Sequence, residues 1–515
     1  MKKFIEELKK IFPYNKSVAI ELILALTFSH ELPGNSVVLL TESSFFQRKY
    51  SSLYLMLNNY FCARNTKSDQ RITLRRQERK KIIKYITSLY SKGCNRNVYA
   101  LDITNHYRSN SQKGRDRINV RSKNNRFSEP GYEYSVLCNL KEKSWAIPTS
   151  ITRVHSEANK YAIGVQQVID AHSCSDVDSI TISIADAAYS NTGYLEPLYK
   201  EDNIINITRD RKNRAVYTMF TGEQKPKGRK RHYGDKINLS EHKDKLTPDN
   251  VVRFNHTSKK GKETEVVISE YHNLLVKGRK KQSMKKNPVN YVKIEVYDLE
   301  GSRVYNNDLW LCVSGKKRHL LKAQEVYDYY KSRFDIEHFF KFAKSKMRFD
   351  KLQTTNPKID EDYCMFVMLS YNHLYHLKDY AGVATRHDWY SKKSEDPTPS
   401  TIYRSLSEIK HHFHDIVKPA IARGIPDERS VRKLFVKQAN CPVIKKTIPK
   451  NNVEISIKVP FGKGQKFTKV TLNAKNLNEE IFSTKLSSLY TQISKNLTLS
   501  ETQLTPVRDK DCINI

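Results

Sequence analysis

Four residues in the segment YKSRFDIEHFFKFAK stand at a spacing suited to chemistry on a phosphate: Tyr330, Arg333, Glu337 and Lys344. At roughly 100° per residue on an α-helix, they fall in a stripe about 60° wide, with Lys341 at its edge. Ile336, Phe339, Phe342, Ala343 and Met347 fall on the other side. Helical spacing runs from about Lys322 to Phe349, so one continuous helix is expected, its apolar face buried and one carboxylate, two cations and a phenol facing a shared cleft. Glu337 offers a hard oxygen ligand for a metal-bound phosphodiester, Arg333 and Lys344 hold phosphate oxygens, and Tyr330 donates a hydrogen bond. The plain alternative is a surface helix with an i, i+4 ion pair between Arg333 and Glu337, common and worth little. The four-residue spacing tips the balance, because with this composition it arises by chance on the order of once in a hundred such chains.

This Tyr/Arg/Glu/Lys signature resembles that of the IS4-like insertion-sequence transposases, a DDE transposase family. The resemblance is strongest at the glutamate segment and covers roughly residues 95 to 355. It implies an α/β fold: an RNase H-like core, a mixed sheet with flanking helices, interrupted by a β-rich insertion. The family carries one Asp in its first strand and a second after its fourth. VYALDIT puts Asp102 in the former place and ISIADAAYSNTGYL puts Asp186 in the latter. An Asp that ends a strand is, by itself, usually a turn or helix cap. The order of strand Asp, strand-end Asp, β-rich insertion and helical Glu supports the assignment.

By that resemblance the activity is cut-and-paste DNA transposition. Asp102, Asp186 and Glu337 form the catalytic set, holding two Mg²⁺ ions, with Mn²⁺ able to substitute. Asp102 would bridge both, and the other two carboxylates would complete one coordination sphere each, for in-line displacement at phosphorus. Tyr330, Arg333, Lys341 and Lys344 contact DNA. The partners implied are double-stranded DNA, as transposon ends and target, and a second copy of the chain in a homodimer that pairs two ends. Trp310, in NDLWLCVSG, stands 27 residues before Glu337. It has two readings: a core indole between Leu309 and Leu311, or, by resemblance, a ring that stacks on a base flipped from the transposon end.

The elements that must position these residues follow from pattern. Residues 1 to 92 show helical spacing and end in a basic stretch where Arg71, Arg75 and Arg79 stand four apart, read as a solvated face or a DNA contact. Residues 93 to 203 show three strands, a helix from about Glu157 to His172, and the apolar run Ile180 to Ala185, an α/β core. Residues 204 to 318 form the β-rich insertion, with basic loops at Lys225–Lys236, Lys259–Lys262 and Lys277–Lys286 that suit phosphates. Residues 319 to 390 return to the core, and 391 to 515 hold a linker, a helix near Ile402–Ile416, a hairpin over Val453–Leu472 and a polar tail.

Composition narrows the partners. With 90 Lys and Arg against 55 Asp and Glu, a net charge of +35 calls for a polyanion. No run is long enough to cross a bilayer, and Glu21 interrupts the apolar stretch Val18–Phe28 that would otherwise suggest a signal peptide. A bacterial cytoplasmic protein, associated with the nucleoid when on DNA, is expected. Eight cysteines without a C-x-x-C pair read as reduced thiols. His411, His412 and His414 diverge around a helix and are read as a basic face, not a metal site. Two rivals share the carboxylates: an RNase H-like nuclease that cuts without joining, and a domesticated copy acting as a DNA-binding regulator.

Overall fold

The computed structural model describes residues 2–59, 68–109, 111–121, 128–228, 230–257, 261, 263–278, 282–378, 397–409, 441, 443–444, 453–461 and 466–474. It divides into a unit of residues 1–446 and a second of residues 447–515. Four helices open the chain: α1 Lys2–Ile11, α2 Lys16–Thr27, α3 Tyr50–Asn59 and α4 Ser68–Ser91. There follow β1 Arg96–Tyr107, β2 Ile118–Arg121, β3 Ser128–Glu142, β4 Trp145–Val154, α5 Lys160–His172, β5 Ile180–Ala185, α6 Thr192–Tyr199 and β6 Ile204–Asp210. The next segment holds β7 Ala215–Met219, β8 Tyr233–Asn238, β9 Asn250–Thr257, β10 Glu263–Leu274, β11 Val289–Tyr297 and β12 Leu309–Ser314. The helices α7 Ala323–Ser332, α8 Asp335–Lys346 and α9 Pro357–Tyr375 close the main body.

The strands pair into one ten-stranded mixed sheet in the order β2-β3-β1-β5-β6-β12-β11-β10-β9, with β4 on β3. Within it the run β4-β3-β1-β5-β6 is antiparallel up to β1 and parallel from β1 through β5 to β6. This is the mixed sheet flanked by helices of an RNase H-like fold. The expected start of the insertion, residue 204, is the start of β6, which pairs in parallel with β5 inside the sheet. Strands β9 to β12 prolong the same sheet, while β7 and β8 pair as a separate two-stranded ribbon.

Apolar side chains divide by face, as alternation along a strand requires. On one face Tyr99 and Leu101 of β1 pack with α5 and α6. On the other, Ala100 packs with α2, α8 and α9, while Ile182 and Ile184 of β5 pack with α7. Gly164 of α5 lets that helix close on β1, since a Cβ there would meet Leu101 Cδ2 at 2.7 Å.

The helix expected over 322–349 is two helices. Between them the ladder tightens to i→i−3 bonds: Arg333 N to Tyr330 O at 3.2 Å, Phe334 N to Lys331 O at 3.4 Å, and Glu337 N to Phe334 O at 3.1 Å. The halves pack in different clusters, α7 with the β5, β6 and β12 side and α8 with α2, α9 and β4. Each follows its own part of a broad twisted sheet.

The basic helix α4 also departs from expectation. Arg79 is buried, donates to Ile151 O at 2.7 Å and pairs with Glu361 at 3.1 Å; Arg75 pairs with buried Asp362. These arginines face the acidic start of α9, not solvent or DNA, and the side chain of Arg71 lies outside the described residues. In the second unit the expected hairpin is an antiparallel pair, β13 Val453–Phe461 with β14 Lys466–Ala474. The linker near 391–396, the histidines at 411–414 and residues 410–416 of the expected C-terminal helix lie outside the described residues; its start forms short helices Pro399–Arg404 and Leu406–Ile409. None of the described helices is long and apolar enough to cross a membrane.

Candidate active site

Asp102 and Asp186 share one level of the sheet. The parallel pairing of β1 and β5 runs to Leu101 opposite Ala185, and each Asp is the next residue. Asp186 then caps the short turn Ala187–Tyr189, accepting from Ala188 N at 2.9 Å. Asp102 accepts from its neighbour Ile103 N at 2.7 Å and from Arg333 Nη1 at 3.1 Å. The second arm of Arg333 reaches Glu337 Oε1 at 3.3 Å. One guanidinium therefore spans the carboxylate from β1 and the carboxylate from α8.

Burial pushes the Asp102 carboxyl up to about 6, with Arg333 opposing and the charges of Asp186 and Glu337 adding to the rise. Three carboxylates thus feel one another, and one half-exposed member, Glu337, opens to solvent. Arg333 is itself buried, with its guanidinium 5.7 Å from the Tyr330 ring and 5.0 Å from the Phe334 ring. Lys344 donates to Asn105 O at 2.9 Å, joining α8 to β1 three residues beyond Asp102. Lys341 is exposed one turn after Glu337.

Residues 98–373, more than half of the chain, match the family model described as Transposase DDE domain. The chain belongs to this family. No curated protein matches the chain. The DDE transposase domain makes the protein a transposase, an enzyme of DNA recombination.

The donor set of this transposase domain fits the divalent metal normal for the family. All three candidates are hard oxygen ligands. Burial raises Asp102, and the charges of Asp186 and Glu337 reach it as well, so three acids converge where a cation would sit. A second group, His106, Asp360 and Cys364, could also be drawn as a metal site. Its oxygens are already engaged: Asp360 Oδ1 accepts from Arg108 at 2.9 Å and Oδ2 from Tyr134 at 2.6 Å. Burial lowers His106 to about 4 and raises the Cys364 thiol well above its ordinary value, so the imidazole and thiol are neutral beside an Asp360 carboxylate already paired with Arg108, and the cluster is part of the core.

Trp310 is 2% exposed. Its ring centroid lies 5.6 Å from that of Tyr271 and 6.4 Å from that of Tyr291, on the α5 and α6 face of the sheet. As it stands the indole is a core residue of the transposase, with no face open to a base. Alternation does turn it away from Leu309 and Leu311, but the face it turns to is covered as well. Tyr330, expected to line the cleft, is 4% exposed and meets it from the buried side, beside Arg333. Sequence pattern missed Phe334, which is 50% exposed beside Arg333. The six described cysteines are free thiols.

Proposed function

We propose that the protein is an IS4-like transposase that excises and inserts DNA by cut-and-paste, with Asp102, Asp186 and Glu337 as its metal-holding carboxylates. The observation that carries this reading is the Arg333 guanidinium bridging Asp102 and Glu337 beside the strand-end Asp186. Bound Mg²⁺ would supply the Lewis acidity and activated nucleophile of phosphodiester cleavage.

This chain's own residues do the rest. Arg333, held against two aromatic rings, presents a planar donor fork to phosphate oxygens as DNA displaces its carboxylate contacts. Tyr330 fixes that fork from the buried side. Lys344 holds α8 against β1 and so sets the reach of Glu337, and Lys341 offers an exposed charge to the neighbouring phosphate. The net charge of +35 supports a duplex DNA partner, and pairing two ends calls for a homodimer. The same reading places the protein in the bacterial cytoplasm, with its DNA.

The experiment is a cleavage and joining assay on duplex carrying the element's ends, with Mg²⁺, Mn²⁺ or chelator. Metal-dependent cleavage followed by strand transfer is expected. Cleavage without joining identifies a nuclease, and DNA binding without cleavage a regulator. Binding should fall by orders of magnitude between low and moderate salt; a flat titration removes the DNA-contact reading.

A further inference from the structure

A buried carboxylate ends β6, the strand paired with the one that Asp186 follows. This residue, Asp210, is 7% exposed, and its Oδ2 accepts from Ser190 Oγ at 2.8 Å and from the Tyr291 hydroxyl at 2.8 Å, with Arg214 Nε at 3.5 Å. Oδ1 accepts from Arg211 N at 2.9 Å. The donors come from three places. Ser190 ends the turn that Asp186 begins, so residues 186–190 are capped by one Asp and pinned by another. Tyr291 lies on β11, within the β-rich segment. Arg214 precedes β7, the first strand of the ribbon that carries the basic loop.

A carboxylate taken out of water costs several kcal/mol unless it is well paired, and an apolar residue would hold a core together at less cost. What a carboxylate adds is direction: a single oxygen that accepts hydrogen bonds from two segments and an ion pair from a third fixes them relative to one another. Burial keeps the Tyr291 hydroxyl protonated, so it remains a donor. Trp310 stands opposite Asp210 in the β6–β12 pairing and packs on Tyr291, which closes the joint to water.

We infer that Asp210 is a positioning residue that sets the loop presenting Asp186 and couples it to the β-rich segment through Tyr291 and Arg214. This rests on the reading of Asp186 as a metal ligand. Outer partners of this kind alter metal affinity by roughly 10- to 100-fold when removed.

The test is a Mn²⁺ titration of the full chain, read by electron paramagnetic resonance without DNA, beside thermal unfolding and DNA affinity. Asp210→Asn is expected to weaken Mn²⁺ binding about 10-fold with DNA affinity unchanged, and high Mn²⁺ to restore its cleavage rate. Because Asp210→Asn can lower stability, Tyr291→Phe and Ser190→Ala provide milder variants, each removing one donor. Both should weaken Mn²⁺ binding several-fold, and together by less than the product of the two. Mn²⁺ affinity within twofold of the parent in both mild variants overturns the inference, whatever happens to the unfolding temperature. If Asp186→Ala itself leaves Mn²⁺ affinity intact, the site reading fails and this inference with it. If Asp186→Ala abolishes binding while the mild variants do not, this inference alone fails.

Discussion

Two clusters of carboxylate and guanidinium lie on the same face of the sheet, and they differ in how their charge is balanced. At the start of α9, Asp360, Glu361 and Asp362 meet Arg108, Arg79 and Arg75, an arginine for each acid, with His106 alongside. In the cleft, Asp102, Asp186 and Glu337 stand near Arg333, the described residue that forms ion pairs with two of them. The first cluster is closed. Burial alone would raise Asp360 and Glu361, yet hydrogen bonding from His106 and the charges of Arg108 and Arg79 hold both below the usual carboxylate range. Burial outweighs the neighbouring arginines at Asp362 of the first cluster and at Asp102 of the second, and raises both to about 6; the clusters differ in that each acid at α9 has an arginine, whereas in the cleft Arg333 pairs with two of the three. Buried acids matched by arginines join helices to a sheet; acids left in excess at an open edge accept a cation.

The largest effect that tests this contrast is on cleavage. Asp102→Ala, Asp186→Ala or Glu337→Ala should each abolish metal-dependent DNA cleavage with little change in DNA binding or unfolding temperature. Near-parental cleavage by any one purified variant takes that residue out of the site. In the closed cluster the outcome reverses. Asp360→Ala leaves Arg108 buried without its carboxylate and Tyr134 without its acceptor, and should cost about 3–5 kcal/mol in denaturant unfolding. A loss below about 1 kcal/mol would mean that the pairing at α9 does not hold the fold together.

Acid supplies the next test. His106 is fully buried and burial lowers it to about 4 from an ordinary 6.5. As pH falls through that window the unfolded chain takes up a proton that the folded chain refuses. Stability should therefore be intact above about 6.5 and decline towards 4, by an amount on the order of 3 kcal/mol from this group. His106→Gln should flatten the decline as measured by unfolding at pH 7, 6, 5 and 4. His373, lowered to about 3 by burial, contributes with the same sign and leaves a residual slope. The smallest effect belongs to Lys341, exposed and in neither cluster. Lys341→Ala should leave stability alone and reduce the salt slope of DNA binding by about 1; an unchanged slope removes it from the phosphate contacts.

Much of the candidate site was legible because its signals are local. VYALDIT marks an apolar strand with an acid inside it and ISIADAAYS one that ends at an acid, and the Tyr330, Arg333, Glu337, Lys344 spacing survives a change in helix geometry. What could not be read depends on partners distant in sequence. Arg75 and Arg79 look like a basic DNA face until α9, nearly three hundred residues later, supplies their acids. Trp310 alternates with Leu309 and Leu311, which says nothing of whether the opposite face is covered; Tyr271 and Tyr291 decide that. Strands β9 to β12 read as an insertion because they follow basic loops, yet β12 pairs with β6 and extends the sheet. The four-residue β2 has too little pattern to be seen. The break at Arg333 and Phe334 carries no glycine or proline, so nothing local announces it.

That break gives the signature a mechanical dimension. Tyr330 and Arg333 are anchored through α7, and Glu337 and Lys344 through α8, each helix gripped by its own packing cluster. The residues between Ser332 and Asp335 then act as a ruler that sets the rotational phase of one grip against the other. A single residue added there would turn α8 by about 100° if its position along the axis were kept. Either its apolar stripe leaves the core or Glu337 leaves the cleft, and neither helix need unfold for the site to be lost. The length of this joint is thus as much a part of the site as the side chains on either side of it.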